Sequence, residues 1–245
     1  MITKSPTPAL AIEGLNAWYG ESHILHGVDL SVNRGEVVTL LGRNGAGRTT
    51  TLRAIMGLTG TRRGSIRIDG HETINQPTHR IARYGVGYCP EERAIFASLS
   101  CEENLKLPPQ MIRHADGMVS AGMTEAEIYD MFPNLRERRH SQGTKLSGGE
   151  QQMLAMARIL RTGVNLLLLD EISEGLAPAI VQGLARMILT LKRKGYTIVM
   201  VEQNFRFAAP LADRFLVMEH GRIVERFSAH ELPQRMPILH ELLGV

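Results

Sequence analysis

The stretch from Gly42 to Thr50, Gly-Arg-Asn-Gly-Ala-Gly-Arg-Thr-Thr, nearly fits the phosphate-binding pattern G-x-x-x-x-G-K-[ST]. Arginine stands at 48 where the pattern has lysine. Phosphates need many donors and few competing side chains. Gly42, Gly45 and Gly47, with Arg43, Asn44 and Ala46 between them, let successive backbone N–H groups turn inward. The helix expected to follow aims its positive end at the anion. Thr49 offers a hydroxyl to Mg²⁺, and Thr50 one to a phosphate farther back. A glycine-rich turn before an ordinary helix explains the same residues, so other features must decide.

A second feature is Asn165–Glu171, NLLLLDE, four leucines that end in two carboxylates. A buried strand ending this way presents acid at the carboxyl edge of a sheet, where open α/β sheets bind ligands. Asp170 would hold Mg²⁺ through water, and Glu171 would orient and deprotonate an attacking water. Two solvated acids ending a strand are the plain alternative, and their place after a phosphate loop favours function. The third feature, Leu146–Leu160, LSGGEQQMLAMARIL, sets Ser147, Gly148, Gly149 and Glu150 before an amphipathic helix. That is a second anion-binding helix start.

The elements that must position these residues read as an α/β chain. Strands are expected at Ala9–Tyr19, His26–Val32, Glu36–Gly42, Ser65–Gly70, Gly85–Cys89, Leu166–Leu169 and Ile198–Glu202. Helices are expected at Thr49–Met56, Thr124–Phe132 and Ala179–Arg193. A hairpin in FLVMEHGRIVERF and a terminal helix close the chain. From about Glu91 to Leu160 the character is helical, most simply an insertion into the core.

The 245 residues are 43% hydrophobic and 22% charged, ordinary for a soluble globular chain. A net charge of +3 without a dense basic run argues against nucleic acid. The nine histidines are scattered and form no zinc pattern. Cys89 and Cys101 suit a reducing compartment better than a disulfide framework. No apolar run approaches the roughly 18–20 residues that span a bilayer, and the N-terminus lacks a secretory apolar region.

LSGGE followed by LLLLDE, after a phosphate loop, resembles the ATP-binding cassette (ABC) ATPases over nearly the whole chain. The resemblance implies a P-loop NTPase core with an N-terminal antiparallel β portion and an inserted helical subdomain. It implies one domain over 1–245, with a nucleotide-binding core at about 1–91 and 161–245 and a helical subdomain at about 92–160. Such cassettes dimerise head to tail, so that Ser147–Glu150 of one chain would meet the nucleotide on the loop of the other. ATP and Mg²⁺ are the implied ligands, with ATP held by the loop residues 42–50. Tyr19 falls where the family stacks an aromatic on adenine. It could instead be a core aromatic beside Trp18.

Glu91 in CPEER replaces the usual glutamine that touches Mg²⁺ and the membrane partner. Gln203 in VEQN replaces the usual histidine at the γ-phosphate. Ala177 in SEGLAP replaces an aspartate. Together these resemble the shorter of two ATPases in bacterial branched-chain, or high-affinity, amino-acid importers. The implied partners are a second cassette (a different chain or a second copy), two membrane permeases and, indirectly, an extracytoplasmic binding protein. The implied place is the cytoplasmic face of the inner membrane. Urea or short amides are alternative cargo.

The resemblance assigns Glu171, Arg48 and Gln203 to hydrolysis and Thr49, Asp170 and Glu91 to the metal. Arg48 and Ile172 depart even from the subgroup, which has lysine and proline there. Guanidinium is wider than ammonium and would crowd the loop, slowing hydrolysis while ATP still binds. Ile172 removes a rigid turn residue after Glu171 and would shift that carboxylate slightly. A non-hydrolysing degenerate subunit is a second class, favoured only by Arg48. A soluble cassette acting on DNA or ribosomes is a third, disfavoured because those usually carry two fused cassettes or a long coiled coil.

Overall fold

A computed structural model describes residues 7–109, 111–113 and 119–244. Residues 1–6, part of the N-terminus read above for a leader, lie outside it. In chain order the elements are β1 (Leu10–Tyr19), β2 (Ser22–Val32), β3 (Val37–Gly42), α1 (Arg48–Ile55), β4 (Arg62–Ile68), β5 (His71–Glu72), α2 (Thr78–Ile81) and β6 (Val86–Cys89). Next come α3 (Cys101–Lys106), β7 (Met111–Arg113), β8 (Val119–Ala121), α4 (Glu125–Met131), α5 (Pro133–Glu137) and α6 (Gly148–Leu160). The chain closes with β9 (Leu166–Asp170), α7 (Pro178–Arg193), β10 (Thr197–Val201), α8 (Phe205–Ala208), β11 (Arg214–Glu219), β12 (Arg222–Ser228) and α9 (Leu232–Leu243).

The apolar runs form one sheet in the order β12-β11-β3-β10-β9-β6, parallel except for its edge strand β12. Its strands β3, β9 and β10 are buried along their whole length, as expected of parallel strands covered on both faces. Alternation along β9 sorts the coverings. Leu166 and Leu168 pack with α1 and the antiparallel sheet β2-β1-β4-β5. Leu167 and Leu169 pack with α6 and α7. A third apolar cluster joins Phe215, Phe227 and Leu239 of β11, β12 and α9. Because β3, β10 and β9 are parallel neighbours, Gly42, Glu202 and Asp170 come together at one carboxyl edge.

The stretch between β6 and β9 differs from the all-helical expectation. It carries the short hairpin β7–β8, and its helices α3, α4 and α5 are short. Strands of three residues show no period that a sequence can reveal. Each of α3, α4 and α6 begins with a capping box, set by Ser100, Thr124 and Ser147 with a glutamate three residues on. Cys89 and Cys101 are buried and unbridged.

Gly87 lets α6 lie close on β6. A Cβ there would stand 2.4 Å from Ile159 Cγ2 and 3.0 Å from Val164 Cγ2. Gly87→Val is expected to overpack this contact and cost about 1–3 kcal/mol in urea unfolding, because the side chains it meets are β-branched and stiff.

Candidate functional site

The loop between β3 and α1 is shaped by what cannot fit beside it. A Cβ on Gly42 would lie 2.5 Å from the Met218 carbonyl oxygen. Gly47 sits at φ 102, and a Cβ there would lie 2.9 Å from Leu25 Cδ2. The turn between β11 and β12 pins the loop from outside. Gly221 N donates to Ala46 O at 2.9 Å, and His26 N donates to Gly221 O at 2.9 Å. The side chain of Arg43 turns away from the loop and caps the end of α9, donating to Leu242 O and Glu241 O at 3.0 Å each. In the first turn of α1, Thr51 Oγ1 donates to Gly47 O, so Thr49 and Arg48 are the side chains that reach the acidic strand end.

Two contacts join loop and acid. Thr49 Oγ1 donates to Asp170 Oδ1 at 2.9 Å, and the Tyr88 hydroxyl donates to Asp170 Oδ2 at 2.9 Å. Arg48 Nη2 donates to Glu171 Oε1 at 2.8 Å and to Asn44 Oδ1 at 3.3 Å. The guanidinium is 4% exposed and the carboxylate 11%, so this ion pair is nearly dry. Arg48 Nη1 is buried with no partner. Burial, and then a hydrogen bond with Glu174, push the Glu171 carboxyl up to about 7, while Arg48 pulls it down. Burial also raises Asp170, against the pull of Thr49 and Tyr88.

Beside Glu171 lies a cleft of about 830 Å³, lined among others by Glu174, Glu202, Gln203, Asn204 and Arg206. Gln203 is exposed there, and Glu91 is exposed after β6. Tyr19 is 38% exposed at the end of β1, so it is no core residue. Ile172 is buried among the residues packed on α6 and α7. Ala177 is exposed and caps the start of α7.

Ser147 caps α6, its hydroxyl accepting from Glu150 N at 3.3 Å while Glu150 Oε2 accepts from Ser147 N at 2.7 Å. Gly148 leaves room for the Arg93 guanidinium, and Gly149 for Ile180. Among the described residues no hydrogen bond or ion pair joins Ser147–Glu150 to residues 42–50. The starts of α1 and α6 are thus separate in this chain. Next to α6, a groove of about 480 Å³ is lined by Phe96, Leu107, Arg158 and their neighbours. Phe96 and Leu107 are half exposed, and Arg158 stacks over the Phe96 ring at 4.6 Å.

The residues suit a polyphosphate and a hard divalent cation. The glycine cradle admits only backbone, and an orphaned guanidinium nitrogen lacks an acceptor. Thr49 and Asp170 offer oxygen only. Among the described residues no cluster of three or more His, Cys, Asp or Glu side chains is arranged for a metal. A cation of the Mg²⁺ type is bound by one or two carboxylates, phosphate oxygens and water, a donor set that Thr49 and Asp170 would fit.

Reading the sequence alone misses Tyr88, Glu174 and the pair Glu202–Ser173. Tyr88 sits on a strand the sequence shows, but its reach to Asp170 follows from β6 lying beside β9, which the sequence does not show. Glu202 had none, being one polar residue after an apolar strand.

The profile of the ABC transporter family matches residues 25–174. The chain is 41% identical over 215 residues to the high-affinity branched-chain amino acid transport ATP-binding protein BraG of Pseudomonas aeruginosa, covering 88% of this chain and 91% of that one. It is 35% identical over 219 residues to the probable branched-chain amino acid transport ATP-binding protein LivF of Archaeoglobus fulgidus, 89% and 91% covered. It is also 34% identical to the lipopolysaccharide export system ATP-binding protein LptB of Haemophilus influenzae, with 88% of each chain covered. Among solved structures, an ATP-binding subunit of an ABC transporter superposes with TM-score 0.76 at 28% identity, over 97% of this chain and all of that one.

Glu202 is the most enclosed acid of this edge. Ser173 Oγ donates to it at 2.7 Å and Ser173 N at 3.3 Å, yet burial pushes it up to about 8. The folded chain therefore keeps a proton that the unfolded chain releases between its ordinary 4.5 and about 8. Stability falls as pH rises through that window. Glu202→Gln, which still accepts from Ser173, is expected to lose less stability than the parent between about pH 5 and pH 8. The difference should be at least about 1.4 kcal/mol, one pKa unit, in urea unfolding at the two pH values.

Proposed function

Because the chain belongs to the ABC transporter ATPases, we propose that it powers an importer of branched-chain amino acids or similar small solutes, hydrolysing ATP slowly at its own phosphate loop. The observation that carries the site is the closure of loop on acid, Thr49 on Asp170 and Arg48 on Glu171. The cargo rests on the likeness to BraG and LivF and on the CPEER, SEGLAP and VEQN segments. The likeness to LptB runs over the same residues, so the ATPase fold by itself does not choose the cargo.

In this reading the backbone of residues 42–47, the start of α1 and Thr50 bind the phosphates, and Tyr19 packs on the base. Thr49, Asp170 and Glu91 would hold Mg²⁺. The ion, when bound, neutralises phosphate charge. Tyr88 keeps Asp170 in place. Glu171 accepts a proton from water, and Gln203 contacts the terminal phosphate from the neighbouring strand end. Ser147, Gly148 and Gly149 serve the nucleotide of a second cassette, so ATP joins two chains and its loss lets them part.

Among the described residues no helix is long and apolar enough to cross a membrane. The chain works from the cytoplasmic face, on separate permease chains. The groove at Phe96, Leu107 and Arg158 has the size and apolar lining to take a short permease helix. A different chain as the second cassette, and an extracytoplasmic binding protein, complete the assembly.

Arginine in place of lysine should cost transition-state stabilisation more than binding. With the permeases in vesicles, Arg48→Lys is expected to raise ATP turnover and leucine uptake together. A misplaced donor worth about 2–4 kcal/mol corresponds to roughly 30- to 1000-fold. Equal turnover in the two proteins would remove the argument for a slowed site.

A further inference from the structure

We propose that the buried Arg48–Glu171 ion pair is a latch, which occupies the hydrolytic carboxylate until the terminal phosphate of a nucleoside triphosphate takes the guanidinium over. The inference rests on the reading of residues 42–50 as a nucleotide site and goes beyond it, to what controls the base.

The guanidinium has two terminal nitrogens, and the structure uses them unequally. Nη2 serves both Glu171 and Asn44, while Nη1 is buried without an acceptor. An orphaned charged donor in a dry site is costly, and one carboxylate oxygen does not meet it. A terminal phosphoryl group brings three oxygens and more negative charge, enough to satisfy both nitrogens. The lysine position of this loop pattern faces the last two phosphates, so a triphosphate competes for Arg48 far better than a diphosphate. An ammonium has no second terminal nitrogen, so a lysine would leave no such orphan for the phosphate to satisfy.

The surroundings of Glu171 make the exchange consequential. Glu174, Glu91 and Glu202 all lie close enough to act on this edge, and Arg48 is the cation set against them. Once Arg48 leaves, the hydrogen bond that holds Glu171 Oε1 is gone and the carboxylate is free to turn into the cleft it lines. Its neighbour Asp170 is unaffected, because Thr49 and Tyr88 hold it. The backbone holds Glu171 in a conformation uncommon for a residue other than glycine. Glu171 sits at φ 47 with its N–H on Val201 O at 2.9 Å. A proline at 172 would push residue 171 towards extended backbone. Ile172 lifts that restriction and anchors the turn by packing into the core. The two departures from the motif thus act together.

The test is a double-mutant cycle of Arg48→Lys and Glu171→Gln, read by calorimetric binding of ADP and of a non-hydrolysable β,γ-imido ATP, each with Mg²⁺. Made in the parent chain, Glu171→Gln removes the competing charge and should tighten the triphosphate about 10-fold or more and ADP less than about 3-fold. Made on top of Arg48→Lys, the same change should move the triphosphate less than about 3-fold. Equal tightening of both nucleotides, or equal tightening in both backgrounds, overturns the latch and leaves the nucleotide site standing. No nucleotide binding by the parent chain or by Arg48→Lys overturns the site reading and the latch with it.

A second measurement needs no variant to fold well. In the parent chain the Arg48 side-chain N–H resonance should shift with the triphosphate analogue and stay in place with ADP. A resonance that moves alike with both overturns the proposal.

Discussion

Opposite charges held out of water at the carboxyl ends of β3, β10 and β9 are the constraint around which this molecule is arranged. Taking a guanidinium and three carboxyls into a nearly dry edge is costly, and the cost is met only by close pairing and by protonation. Each acid meets it differently. Asp170 is fixed by two hydroxyls, Glu171 by Arg48, and Glu202 by Ser173 and a retained proton. The sheet beneath must then be rigid, and its central strands are buried on both faces.

The same constraint explains why the loop is braced from outside. A phosphate cradle made of glycines has little stiffness of its own. Here Gly221 ties Ala46 to β2 through two backbone hydrogen bonds, and Arg43 ties the start of the loop to the end of α9. Both braces come from the last third of the chain. The loop is therefore complete only when β11, β12 and α9 have packed. Their cluster of Phe215, Phe227 and Leu239 is what holds them there. On the far side, Gly87 seats α6 on β6, so the Ser-Gly-Gly turn and the acidic strand end share one support.

Much of this was legible in the sequence where periodicity was strong. The buried runs at β3, β9 and β10, the loop glycines and the capped start of α6 stand out because each is a local pattern with a local cause. The hairpin β7–β8 was not legible, being too short to show a period. In the site, residue types were readable but partners were not. That Arg43 faces α9, that Tyr88 reaches Asp170, and that Glu202 is enclosed by Ser173 all depend on strand order. Strand order is a long-range property that no window of sequence contains.

Arg48 shows why a residue type and its role must be argued separately. Judged by the motif, an arginine there is a poor lysine, wider and less able to enter a tight loop. Judged by its surroundings, it is the cation facing a group of acids, and one of its terminal nitrogens reaches Glu171 and Asn44 together. The other terminal nitrogen, which a lysine lacks, is left buried without an acceptor. In the proposed reading, the guanidinium that would slow the chemistry is also the group that neutralises the acidic edge. A chain whose Ser147–Glu150 turn served another cassette, as proposed, would tolerate that exchange. Among the described residues the two helix starts share no hydrogen bond or ion pair, so a change at the loop leaves the start of α6 in place.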